Sequence, residues 1–185
     1  MRNKETSLTS FFCERWLEAA GEYIEVAADC DVGRELLKFL NANKIETVVL
    51  GGSPLTPAIG EALAGKVEIL ADFGRHEYDL ETAKDLCGRT EAGISGMDAL
   101  ISETGTLVQA FRKSVDGMVS SLPPLHLVIA HEAPVFGSLE AFLSAAPSDI
   151  GFGFITGPSR TADIEKRLVL GAHGPKRVVV WGPEN

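Results

Sequence analysis

The sequence predicts an α/β domain, a three-layer sandwich with a mostly parallel central sheet. Three observations predict it. Stretches with helical periodicity alternate with short β-rich runs along the chain. The strand candidates, above all Leu125-His126-Leu127-Val128-Ile129-Ala130, are apolar at nearly every residue, which suits a sheet covered on both faces. No internal repeat, low-complexity segment or linker divides the 185 residues, a length that suits one domain over 1–185.

Leu8, Phe12 and Trp16 fall four residues apart and give one apolar stripe on a first helix, within an N-terminal helical segment over 1–20. Tyr23–Ala27 reads as a strand. Val32, Leu36 and Leu40 repeat the helical spacing, with Asp31 placed to cap the helix. Ile45–Leu50 is a strand ended by Gly51-Gly52-Ser53-Pro54; a helix over Pro57–Ala64 and a strand over Val67–Leu70 come next. Asp79–Cys87 is helical. Thr90–Ser95, Ala99–Ile101 and Thr106–Val108 carry strand-like pieces. Ser114–Pro124 is polar, contains glycine and proline, and reads as a loop. After the Leu125–Ala130 strand, Ser138 caps a short helix with Leu139, Phe142 and Leu143. The chain ends with a strand at Gly153–Ile155, a helix over Thr161–Leu170 and a strand at Arg177–Trp181.

The formal net charge of −9 argues against a general nucleic-acid binder, which needs a basic face, and against adhesion to anionic membranes. A few arginines and backbone N–H groups can still make a local site for an anion. Cys13, Cys30 and Cys87 form no CxxC pair, so neither zinc nor a cysteine-held cluster is signalled, and no cofactor is expected. The N-terminus leads into no apolar signal-peptide core, and no apolar run approaches membrane-span length, so the cytoplasm is the expected compartment.

In sheets of this kind ligands sit beyond the carboxyl ends of the strands, which draws attention to the segments after Leu50, Ile101, Ala130 and Ile155. Two segments stand out. Ser102-Glu103-Thr104-Gly105-Thr106 interrupts an apolar stretch. Gly105 permits a positive φ and the close approach of a ligand, and the N–H groups of Thr104, Gly105 and Thr106 can form a nest for an anionic oxygen. Glu103 is a candidate nucleophile or general base; equally, the segment reads as a hairpin turn with a solvated glutamate. In the second segment, Thr156-Gly157-Pro158-Ser159-Arg160-Thr161, a strand turns into the predicted helix. Ser159 or Thr161 caps it, and Arg160 with the first-turn N–H groups would suit a phosphate or carboxylate. Asp163 and Glu165 oppose this, and an ordinary capped helix is the plainer reading. His173 closes that helix and could reach the same cleft. On this reading Glu103 and Arg160 line a common hollow.

Gly51-Gly52-Ser53-Pro54 lacks GxGxxG spacing and a Walker lysine, and reads as a plain turn. The four histidines show no metal-ligand spacing, and His126 reads as structural. Arg112 and Lys113 add positive charge just after the first loop.

Four motifs fall in this order: Ile101–Val108, Leu122-Pro123-Pro124-Leu125-His126, Ile155–Glu165 and Leu170-Gly171-Ala172-His173-Gly174-Pro175. Together they resemble the lactate-utilisation protein C family of LUD-domain proteins. The resemblance implies a fold similar to the ribose-phosphate isomerase and CoA-transferase superfamily. It also implies a part in bacterial oxidation of L-lactate to pyruvate beside two iron–sulfur partner proteins, with this chain as the cluster-free member. Two features depart from the family pattern: a shorter N-terminal helical region, and Ser102 where many members have alanine. By analogy with the glutamate of CoA transferases, Glu103 would attack an acyl-CoA. The alternative to the lactate pathway is a stand-alone enzyme or sensor that binds an anionic metabolite, nucleotide or acyl-CoA.

Overall fold

The computed structural model describes residues 7–27, 29–113, 115–162, 168–170 and 174–184. In chain order the elements are α1 (Leu8–Glu18), β1 (Glu22–Val26), α2 (Val32–Ala42), β2 (Thr47–Leu50), α3 (Thr56–Leu63), β3 (Glu68–Asp72), α4 (Leu80–Arg89), β4 (Ala92–Gly96), β5 (Ala99–Ile101) and β6 (Thr106–Phe111). They continue as α5 (Asp116–Ser121), β7 (Leu125–Ile129), β8 (Val135–Phe136), α6 (Leu139–Ala145), β9 (Gly151–Ile155), β10 (Arg160–Ala162), β11 (Leu168–Leu170) and β12 (Arg177–Pro183). Side-chain oxygens start four of the helices: Ser7, Asp31, Asp79 and Ser138 each accept an N–H three residues on. Each satisfies one of the N–H groups that a helix start leaves open.

Six strands form one sheet in the order β1-β12-β7-β4-β2-β3, and every pairing in it is parallel. Because side chains alternate across a strand, each strand feeds two cores. Val48, Leu50, Ile94, Leu127, Ile129, Val179 and Trp181 face α2 and α3, where Leu36, Leu40, Ile59 and Leu63 meet them. On the other face Val49 and Ala71 pack on Ala83 and Cys87 of α4 and Val119 of α5, while Val128 and Val180 pack on Phe12 and Trp16 of α1. The result is a central sheet between two covering layers, the predicted three-layer α/β sandwich.

The second covering layer includes a sheet of its own, ordered β8-β5-β6-β9, in which β5–β6 and β6–β9 are antiparallel. Leu100 and Leu107 turn toward the main sheet, and Ala99, Ile101 and Val108 turn toward Phe142 of α6. Ile101 and Ile155 therefore end strands of this second sheet, and the carboxyl-end rule does not apply to them. Leu50 and Ala130 lie at the ends of strands of the parallel sheet.

Two element predictions need correction. The predicted loop over Ser114–Pro124 contains α5. Its Gly, Ser and Pro content hides a helix held by tertiary contact: a Cβ on Gly93 would stand 2.1 Å from the Val119 carbonyl oxygen, so α5 rests directly on β4. The predicted helix over Thr161–Leu170 is replaced, in its described residues, by the antiparallel pair β10 and β11, with Arg160 opposite Leu170 and Thr161 opposite Val169. Ser159 donates its N–H to the Pro175 carbonyl at 2.9 Å, which ties the turn before β10 to the loop before β12.

Candidate ligand site at the switch point of the sheet

From β2 the chain runs outward to β3 on one side, and from β4 outward to β7 on the other. Neighbouring strands whose connections depart in opposite directions leave a crevice at their carboxyl ends, which is where ligands of open α/β sheets bind. A hollow lies there. Gly52, Ser53 and Pro54 after β2 line it, with Ser95–Asp98 from the end of β4, and Gln109, Ala110, Arg112 and Asp116 from β6 and the start of α5. Its volume is about 40 Å³. That is little more than one water's share of the liquid, about 30 Å³, so it admits a single polar group and not a whole metabolite.

Two glycines keep its hydroxyls in place. A Cβ on Gly96 would stand 2.6 Å from the Ser53 Oγ, and one on Gly51 would stand 3.1 Å from the Ser95 Cβ. The Ser53 Oγ is shielded from solvent and has no described hydrogen-bond partner. The Ser95 Oγ lies 2.8 Å from His126 Nε2, and both residues are buried. Burial pushes the His126 imidazole down to about 3, so the ring is neutral at physiological pH. Its Nδ1 has no described partner. An orphaned buried N–H is costlier than an orphaned lone pair, so the proton belongs on Nε2, which donates to Ser95. The Ser95 hydroxyl is then free to donate into the hollow. This pair is not a nucleophile with its base: the imidazolium would be buried with nothing to hold it.

Charge at the rim is balanced within the protein. Asp116 is buried, and its Oδ2 accepts the N–H groups of Arg112 and Lys113, each at 2.7 Å. Asp98 accepts the Ala110 N–H at 2.8 Å and an ion pair from Arg112 Nη2. That pairing raises the Arg112 guanidinium above its ordinary value. Two carboxylates against one guanidinium disfavour a multiply charged phosphate here. The Asp98–Arg112 pair also walls a second, apolar hollow of about 170 Å³ between β6, β8, β9 and α6, lined by Phe136, Phe142 and Phe152.

The residues singled out by sequence lie elsewhere. Asp98 and Ser102 stand at opposite ends of β5, roughly 13 Å apart at about 3.3 Å per residue. Glu103 is exposed, and its Oε1 accepts the Leu139 N–H at 2.8 Å, so it caps α6. Thr104 is exposed; its hydroxyl bonds Thr106 at 2.7 Å, and Thr106 bonds Thr156 at 2.8 Å. This threonine chain joins the two predicted loops. Gly105 has φ +61°, and a Cβ there would meet the Trp16 nitrogen at 2.6 Å; the close approach is made by α1. Gly157 does the same against Ala19, with φ +110°. Ser159 sits beside Pro175, just before β12, at the amino edge of the parallel sheet. Arg160 is exposed on β10. Thr161 comes after it, paired with Val169. His173, Asp163 and Glu165 lie outside the described residues. The switch-point hollow is lined by neither Glu103 nor Arg160.

Sequence reading took Ser53 as part of a plain turn, passed over Ser95, Asp98 and Asp116, and noted Arg112 only as local charge. One signal was available: Gly51-Gly52-Ser53-Pro54 comes directly after a fully apolar strand end. Among the described residues no group of three or more His, Cys, Asp or Glu side chains is placed to hold a metal ion, and no helix is long and apolar enough to cross a membrane.

Comparison with known proteins gives consistent results. The LUD domain model matches residues 14–181. A lactate utilization protein C of Macrococcus caseolyticus is 30% identical over 172 residues, spanning 78% of this chain and 73% of the relative. One from an Exiguobacterium species is 33% identical over 108 residues, 53% of this chain; the match spans about half of that relative's length, 46%. A solved structure of a DUF162 family protein from Deinococcus radiodurans is alike in fold, with a TM-score of 0.65 at 19% identity over 96% of both chains.

Proposed function

We propose that this chain, which belongs to the LUD domain family, is a cluster-free component of bacterial L-lactate utilisation and holds the polar end of an organic acid at the switch point of its sheet. The observation that carries the pathway is the match to a lactate utilization protein C over 78% of the chain. The hollow supports the ligand class. Ser53 and Ser95 offer hydroxyl donors, Arg112 offers a cation, and the two carboxylates oppose phosphate-bearing ligands such as nucleotides and acyl-CoA. In this reading electron transfer from lactate belongs to iron–sulfur partner proteins. On the same reading Glu103 caps α6, Thr104 and Thr106 tie the two loops together, Ser159 holds its loop to Pro175, and none of them touches the acid.

The test is genetic and biochemical. Deleting the gene in its source organism should abolish growth on L-lactate as sole carbon source, and tagged protein from lactate-grown cells should carry iron–sulfur partners with it. Unchanged growth on lactate after deletion would overturn the proposal.

A further inference from the structure

The two hollows share one wall, Asp98, Ala110 and Arg112. The Arg112 side chain is half exposed, and its described side-chain bonding uses Nη2 alone. The Nε and Nη1 donors, which lie on different edges of the guanidinium, remain for a ligand, and either gives a carboxylate a charge-assisted hydrogen bond. Beyond the arginine the larger hollow is apolar. Pro134, Phe136, Phe142, Pro147, Ile150 and Phe152 line it. Phe142 packs edge-on against Phe136 at 5.5 Å and against Phe152 at 5.1 Å, so the walls are fixed before any ligand arrives. An apolar cavity of about 150 Å³ takes benzene, and this one measures about 170 Å³. Lactate would fill it with a single methyl group.

We propose that the site recognises a monocarboxylate with an apolar body about the size of a phenyl ring or a branched aliphatic chain. The carboxylate accepts from a free donor of Arg112 and the body lies among the phenylalanines under α6. This rests on the reading of the switch point as an organic-acid site, and it moves the preferred acid away from lactate itself. Each buried methylene adds a few-fold in affinity, so a phenyl-sized body outweighs a methyl by at least about tenfold.

Titration calorimetry of the purified full chain with 3-phenyllactate, L-lactate and the uncharged 3-phenylpropane-1,2-diol tests this. Phenyllactate should bind at least about tenfold more tightly than lactate and than the diol. Arg112→Gln should remove the advantage over the diol. Ala145→Trp, at the exposed end of α6 on the rim of the apolar hollow, should remove the advantage over lactate. Unshifted melting temperatures show that both variants fold. Equal affinity for lactate and phenyllactate, or phenyllactate binding untouched by Ala145→Trp, overturns the inference and leaves the lactate reading standing. Binding of neither acid overturns the inference and the organic-acid site together. Tight phenyllactate binding with normal growth of the deletion strain on lactate leaves the inference standing and removes the pathway.

Discussion

The switch-point hollow and the threonine-bridged loops are both built around glycines, and the glycines do opposite things. At the hollow, Gly51 and Gly96 clear room for the Ser95 and Ser53 side chains, and both serines line the hollow. At the loops, Gly105 and Gly157 take positive φ so that the backbone of α1 can fill the room they leave. A glycine turn beside polar residues looks the same in sequence whether the vacancy admits a ligand or another part of the chain. The difference lies in what arrives there, and that is a tertiary fact.

The largest expected effect tests the hollow's rear wall. His126 has a depressed pKa in the fold, so the unfolded chain binds the extra proton. Its contribution is complete above the unfolded value of 6.5 and is lost as pH falls toward about 3. Burial of this kind is worth on the order of 4 kcal/mol over that range. Urea unfolding at pH 7.5 and at pH 5 should show the start of the loss in the wild type and not in His126→Phe. Glu91, held below its usual range by the N–H groups of Glu46 and Thr47, adds its own loss below about pH 4.5, so the upper part of the window reports the histidine. A wild-type curve flat between pH 6.5 and 4.5 would rule out the neutral, buried histidine.

Next comes the loop side. Gly105→Ala places a Cβ against the backbone of α1 at positive φ, and should cost about 3 kcal/mol and lower the melting temperature by roughly 10 °C. Its acid binding, measured well below that melting point, should be intact. Selective loss of binding with an unchanged melting temperature would make the turn a ligand site after all. Ser95→Ala should cost less, about 2 kcal/mol, by leaving His126 Nε2 buried without a partner. It should also weaken acid binding, which a purely structural serine would not do.

The smallest effect separates the two regions most cleanly. Glu103→Ala removes the acceptor for the Leu139 N–H and should cost about 1 kcal/mol, with growth on lactate unchanged. If Glu103 were the attacking carboxylate, the same substitution would abolish activity while barely moving the melting temperature.

The layered α/β core was legible in the residues themselves. Val32, Leu36 and Leu40 at helical spacing behind Asp31 became a capped helix, and the apolar Leu125–Ala130 run became a strand buried on both faces. Such patterns are local, and one solution to burying them dominates. α5 was not legible, because its six residues hold as a helix through Gly93 and the Asp116 side chain, and not through propensity. The helix expected after Arg160 is replaced, in its described residues, by a strand pair whose partners lie six to ten residues apart, which no local periodicity signals.

The sequence by itself determined the covered parallel sheet, most of its helix starts and the family to which the chain belongs, because periodicity, capping and ordered motifs are properties of neighbours along the backbone. Which strands share a sheet was decided only in three dimensions. With it was decided that the chain parts between β2 and β4, and that Ser53, Ser95 and Arg112 converge there while Glu103 turns to cap a helix. Those outcomes depend on long-range pairing, where residues dozens of positions apart compete for the same few ångströms of space.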